Sequence, residues 1–101
     1  MNAKQEKICS SILNHYGLEN QLGICQEECA ELIQALSKYV RLKKAGYNEI
    51  ERTKNNITLE IADVLIMIQQ IKEGLNISDE ELNYMINFKL DRQVGRMEAG
   101  I

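Results

Sequence analysis

The sequence predicts an all-α protein made of one domain, and its composition gives the first reasons. The chain has no proline and only 6 glycines among 101 residues, so few positions interrupt a helix. Aromatic residues make up 5% of the chain, whereas leucine, glutamate, lysine and glutamine, which favour helices, are frequent. The length is typical of a single core, so we treat residues 1–101 as one domain.

The first two predicted helices are separated by a glycine. One helix runs from about Ala3 to Tyr16, and Gly17 is expected to end it because glycine readily adopts the backbone conformation of a helix C-terminus. Asn20 is expected to cap the second helix, since asparagine is a favoured residue at that position. Apolar residues at helical spacing continue the second helix until Gly46.

The third predicted helix follows a polar connection over residues 46–53, which includes a short helical turn at Asn48–Glu51. This helix runs from about Lys54 to Glu73 and closes at Gly74. It is apolar on nearly all sides, so we expect it to be central or to lie in a subunit interface. A short chain buries such a helix poorly on its own, and we therefore expect a homodimer or a homotetramer built as a dimer of dimers.

The fourth predicted helix begins at a capping box. Ser78 is followed three residues later by Glu81, and such a pair satisfies two backbone N–H groups at the start of a helix. The helix extends to about Met97. The four helices together predict a unit similar to a four-helix bundle that self-associates.

Charge, hydropathy and cysteine content exclude several classes of protein. The net charge of −3 and the lack of a basic stripe argue against nucleic-acid binding. No apolar run approaches the roughly 20 residues of a membrane span, and Asp63 divides the best candidate. Three cysteines cannot all pair, and Cys25 and Cys29 lie one helical turn apart without further metal ligands. Reduced thiols in a cytoplasmic protein are the expectation.

Four acidic residues interrupt otherwise apolar helix faces. Glu28 and Glu31 are three residues apart in the second helix, and so are Glu60 and Asp63 in the third, which places each pair on one face. On a helical wheel Glu28, Glu60 and Asp63 fall among apolar residues, and Glu31 lies at the border. Glu27 falls on the solvated side of the second helix.

A carboxylate in apolar surroundings costs several kcal/mol unless a proton or a cation neutralises it. Either a divalent metal ion lies between the two pairs, or lysine and arginine side chains neutralise them, or the acids are exposed. Because both helices carry acids at the same three-residue spacing, we favour the metal. Gln34 and Lys38 fall on the solvated side together with Glu27.

The ligand type narrows the choice of metal ion. A site made only of carboxylates favours Mg²⁺, Mn²⁺ or Ca²⁺ over zinc, which prefers histidine and cysteine. A di-iron site in a helical bundle would use Glu-x-x-His pairs, and the single histidine, His15, stands outside any such spacing. Mg²⁺ bound by carboxylates usually keeps positions for water and phosphate oxygens, which points to phosphate chemistry.

The acidic blocks also carry a family resemblance. Glu27-Glu28-Cys-Ala-Glu31 is followed, after 28 residues, by Glu60-Ile-Ala-Asp63. This pattern resembles the EExxE…ExxD signature of the MazG-like, all-α nucleoside triphosphate pyrophosphatases. Asn87-Phe-Lys89-Leu-Asp-Arg92 is similar to the N-x-K-x-x-R segment of that family. The resemblance covers roughly residues 16–97.

The resemblance implies a four-helix unit that dimerises and often forms tetramers. It also implies hydrolysis of a nucleoside triphosphate between the α and β phosphates, with Mg²⁺ or Mn²⁺ as the cofactor. Such an activity would serve to clean the nucleotide pool. A specialised dUTPase or dCTPase, or a phosphoribosyl-ATP pyrophosphatase, is an alternative within the superfamily. A non-catalytic helical interaction module with acidic surface pairs is the alternative from another class.

Site residues follow from the match of each motif. The metal ligands implied are Glu28, Glu31, Glu60 and Asp63. Glu27 joins them in the catalytic block as a partner of the ligands, as a base or as a salt-bridge partner. The family often has a second arginine where this chain has Gln93, so either one phosphate contact is lost or Arg96 supplies it. The residues expected to contact substrate phosphates are Lys89, Arg92 and Arg96, and those expected to contact sugar, base or phosphate are Gln21 and Asn87.

Overall fold

The structure is a computed structural model that describes residues 1–46 and 50–101. It confirms the all-α prediction, because these residues form four helices and no strand. None of the four helices combines the length and the apolar character needed to cross a bilayer. The helices are α1 (Ala3–Tyr16), α2 (Leu18–Lys44), α3 (Ile50–Gly74) and α4 (Asp79–Glu98).

The junction between α1 and α2 is a single residue. Gly17 ends α1 and also stands at the N-cap of α2, with a φ of 87° that favours glycine. The prediction that Asn20 caps α2 is therefore wrong, because the helix already starts at Leu18 and Asn20 lies in its first turn. The amide of Asn20 instead donates a hydrogen bond to the side-chain oxygen of Gln21.

The start of α3 also differs from the prediction. The helix begins at Ile50, four residues before Lys54, so the end of the expected connection is helical. Its polar composition suggested a loop, but Thr53 is only 4% exposed and lies inside the protein. The expected short turn lies partly outside the described residues, since residues 47–49 are not among them.

The end of α3 and the start of α4 are fixed by local hydrogen bonds. The N–H of Ile77 donates to the carbonyl of Lys72, and Asn76 adopts a left-handed conformation with a φ of 56°. This is the pattern of a Schellman motif, in which asparagine can replace glycine. The capping box of α4 is confirmed, because Ser78 accepts from the N–H of Glu81 and the carboxylate of Glu81 accepts from Ser78.

The third helix contacts both α1 and α2, but large apolar side chains such as Leu59 and Leu65 stay exposed on it, so the expected subunit interface stays a prediction. It packs along α2 in an antiparallel pair, and α1 lies against the same two helices. Because the pair is antiparallel, Gln21 near the start of α2 meets Gln70 near the end of α3. The apolar core of the described residues is small, and its buried side chains are Cys9, Leu13, Val64 and Met67.

The fourth helix stands apart from the other three. No residue of α4 is buried, and α4 does not pack against α1, α2 or α3 among the described residues. Its first turn is held by an ion pair between Lys72 and Asp79. The radius of gyration is 17.0 Å, whereas a compact domain of this length has about 13 Å. A complete four-helix bundle is therefore not formed within one protomer.

Candidate metal centre

Three of the four predicted acids converge at the α2–α3 interface. One carboxylate oxygen from each of Glu28, Glu60 and Asp63 lies within 4.8 Å of the others. The antiparallel pairing explains the convergence, since the turn of α2 that carries Glu28 faces the turn of α3 that carries Glu60 and Asp63. Carboxylates at such distances repel one another unless a proton or a cation lies between them.

The fourth acid, Glu31, borders the same cluster. Burial raises the pKa of the Glu28 carboxyl, and the charges of Glu31 and Asp63 raise it further. The pKa of Glu60 is raised by the same causes in the same order, with burial first. Glu31 therefore lies close enough to both carboxyls to raise the pKa of each. The four predicted ligands therefore form one electrostatic unit, which we call the acid cluster.

Two oxygens of the acid cluster lack partners. Oε2 of Glu28 and Oε2 of Glu60 are buried and accept no hydrogen bond from any described residue. Among the described residues the one ion pair joins Lys72 to Asp79, so none of their lysine or arginine side chains neutralises the cluster. A buried carboxylate oxygen without a donor is costly, and a cation would remove the cost.

The donor set fits a hard divalent cation. All four side chains offer oxygen, the ligand atom that Mg²⁺ and Mn²⁺ prefer, and neither histidine nor cysteine joins them. Among the described residues, no second group of this kind brings together three or more metal-binding side chains. Glu27 is exposed, which agrees with its place on the helical wheel.

The predicted phosphate-binding residues lie away from the acid cluster. Lys89, Arg92 and Arg96 are exposed on α4, and so is Asn87. Because α4 does not pack against α2 or α3, one protomer does not bring these side chains to the carboxylates. Their expected contacts with substrate stay predictions.

The structure places Gln21 inside the protein. It is 4% exposed, and its amide nitrogen donates to the side-chain oxygen of Gln70 at 2.8 Å. Its own oxygen accepts from Asn20. A contact between Gln21 and substrate would require these hydrogen bonds to be exchanged.

A groove next to the acid cluster was missed by sequence reasoning. It has a volume of about 360 Å³ and opens between α2 and α3, with Glu31 and Glu60 at one end. Gln34, Lys38 and Asn56 line it further along. Their spacing was a usable signal, because Gln34 and Lys38 stand three and seven residues after Glu31 on the same face.

The three cysteines are free thiols that are buried or partly buried. Cys9 is buried, Cys25 and Cys29 are partly buried, and all three are free. Burial raises the pKa of Cys25, and the neighbouring Cys29 raises it further. A raised pKa disfavours the reactive thiolate.

Comparison with known families, proteins and structures finds no similar protein. No family model matches the chain, and no curated protein and no solved structure matches it either. The resemblance to MazG-like pyrophosphatases therefore depends on the motifs and their spacing alone.

Proposed function

We propose that this protein is a divalent-metal-dependent nucleoside triphosphate pyrophosphohydrolase, which cleaves between the α and β phosphates to give a monophosphate and pyrophosphate. The observation that supports the proposal most is the acid cluster, with its two buried carboxylate oxygens that lack any partner. The sequence motifs give the reaction class, because the acids that converge are those of the EExxE…ExxD pattern.

The acid cluster would hold Mg²⁺ or Mn²⁺ through Glu28, Glu31, Glu60 and Asp63. A divalent cation in such a site supplies a water of lowered pKa and charge neutralisation for phosphate oxygens. Glu28 and Glu60 contribute carboxylates that are already positioned and already partly removed from solvent. Glu27 would act from the edge of the cluster, as a base toward a bound water, as a hydrogen-bond partner of the ligands, or as a salt-bridge partner.

We further propose that two or more copies of the chain assemble. A folded monomer of 11.6 kDa is expected to expose about 5,800 Å² of surface, and this protomer exposes 7984 Å². If each of two protomers buries this excess of about 2,100 Å², the interface removes about 4,200 Å² in total, which lies in the range of obligate homodimers. Large apolar side chains on α4 contribute to it, since Phe88 is 57% exposed and Leu90 is 58% exposed.

Assembly also bears on the basic residues. An α4 that packs against a second copy would bring Lys89 and Arg92 toward an acid cluster, where they would neutralise phosphate charge. Arg96 follows one turn later on α4. We place the protein in a reducing cytoplasm, since its three cysteines are free.

The test is a screen of the common ribonucleoside and deoxyribonucleoside triphosphates for pyrophosphate release with Mg²⁺ or Mn²⁺. We expect release from at least one nucleotide, and no release from the Glu60→Gln variant. A uridine or cytidine deoxynucleotide as the sole substrate would identify a specialised relative. If no nucleotide is cleaved and neither metal binds, the protein is a helical interaction module instead.

A further inference from the structure

The groove beside the acid cluster contains groups that fit an anion. Gln34 and Asn56 carry amides that can donate hydrogen bonds, and Lys38 carries a positive charge. Glu31 and Glu60 close the end nearest the cluster. A ligand bound across the cluster and the groove would meet a cation at each end once the cluster holds metal.

Lys38 is placed to reach toward the acid cluster. It stands seven residues after Glu31, about 10 Å along the helix axis. Long side chains on a helix lean toward its N-terminus, so Lys38 can extend its ammonium along the groove in the direction of Glu31. Lys38 makes no ion pair with any residue that the structure describes, and its charge is therefore available to a ligand.

Charge balance favours such a cation. Four carboxylates carry four negative charges, and one divalent ion leaves two of them uncompensated. A triphosphate brings several more negative charges to the same place. Among the described residues of one protomer, Lys38 is the cation that lines this groove, because the basic residues of α4 do not pack there.

We propose that the groove binds the pyrophosphate half of the substrate and that Lys38 contacts its terminal phosphates, with Gln34 and Asn56 as hydrogen-bond donors. This inference rests on the proposed function, because it assigns a position to the group that leaves in that reaction. The nucleoside half then extends from the other side of the acid cluster. Lys38 stabilises the charge on the leaving pyrophosphate and sets the affinity for the polyphosphate chain.

The experiment measures binding of inorganic pyrophosphate in the presence of Mg²⁺ by calorimetry. It compares the wild-type protein with the Lys38→Gln, Lys38→Arg and Lys44→Gln variants. Lys44→Gln removes the same charge from an exposed position of α2 outside the groove. We expect Lys38→Gln to weaken pyrophosphate binding about tenfold or more, Lys38→Arg to restore most of it, and Lys44→Gln to leave it unchanged.

Two further measurements distinguish a wrong assignment of the groove from a wrong proposed function. Lys38→Gln is expected to leave the affinity for Mn²⁺ and for the nucleoside monophosphate product unchanged. A wild-type enzyme that hydrolyses nucleotides, together with equal pyrophosphate binding by Lys38→Gln, would overturn the inference and leave the proposed function standing. A variant that loses the monophosphate rather than pyrophosphate would assign the groove to the nucleoside and also overturn it. A wild-type protein without hydrolysis or metal binding would overturn the proposed function itself.

Discussion

The side-chain amide of Gln21 in α2 donates a hydrogen bond of 2.8 Å to the side-chain oxygen of Gln70 in α3, and both residues are buried. The amide of Gln70 in turn donates to the backbone carbonyl of Ile66. This polar contact lies between two helices whose apolar core is small. It fixes the register of the α2–α3 pair, and the same register brings the acid cluster together.

We predict that Gln21→Met and Gln70→Met each lower the free energy of unfolding by about 1–3 kcal/mol, because each leaves a buried amide without its partner. The double variant should lose less than the sum of the two, since both unsatisfied groups are then removed. Denaturant unfolding measures all three, with Gln26→Met at an exposed position of α2 as the control. Additive losses would mean that the two amides are not coupled.

Metal binding should stabilise the fold. At a Mg²⁺ concentration tenfold above its Kd, linkage contributes about 1.4 kcal/mol, so Tm should rise by several degrees. Asp63→Asn should abolish this rise, and Asp91→Asn, the same change on exposed α4, should leave it intact. Monovalent salt at equal ionic strength serves as the second control. An equal rise in Asp63→Asn would remove Asp63 from the set of ligands.

The acid cluster should also govern how stability depends on pH without metal. The pKa values of Glu28 and Glu60 are raised in the folded state, chiefly by burial, so the folded protein binds more protons than the unfolded chain. Stability is then greatest below the ordinary glutamate pKa and falls as pH rises through the raised values.

Thermal unfolding in a chelating buffer tests this pH dependence. We expect the Tm of Glu60→Gln to exceed that of the wild-type protein, with the difference growing as pH increases from acid to neutral. Asp79 works in the opposite direction, because the hydrogen bond from Lys72 lowers its pKa. Comparing the two proteins cancels that contribution, which both share. Parallel curves for the two proteins would count against a cluster of coupled carboxyls.

The exposed apolar surface predicts that the chain is not monomeric. Light scattering after gel filtration should give at least twice the chain mass of 11.6 kDa at micromolar concentration. Phe88→Asp on α4 should shift the protein toward the monomer, because it places a charge in an apolar interface. Gln93→Glu adds a charge to another exposed position of the same helix and should have little effect. A wild-type monomer would refute the proposed assembly.

Several features of the fold follow directly from the sequence. The three-residue spacing of the acids, read with the apolar faces of two helices, predicted that Glu28, Glu60 and Asp63 meet. Ser78 and Glu81 predicted the start of α4 because a capping box is a local arrangement within four residues.

Other features depend on contacts that a single sequence does not reveal. Thr53 belongs to a polar stretch, and only its packing inside the protein explains why α3 starts four residues early. Lys38 is exposed, as the wheel indicated, but the wheel describes one helix at a time and does not show a groove between two helices. The groove that Lys38 lines exists only between two helices. The capping box formed by Asn2 and Gln5 is local and was also missed.

The ion pair between Lys72 and Asp79 holds α4 to α3 only at its first turn, and this affects how activity depends on protein concentration. The acid cluster lies within α2 and α3, whereas Lys89 and Arg92 lie on α4, which does not pack against those helices and which the proposed assembly would bring to them. Dilution should therefore lower the specific activity at protein concentrations where the affinity for metal is still unchanged. A plot of specific activity against enzyme concentration would bend downward at the dissociation midpoint, while a Mn²⁺ titration at the same concentrations would stay flat.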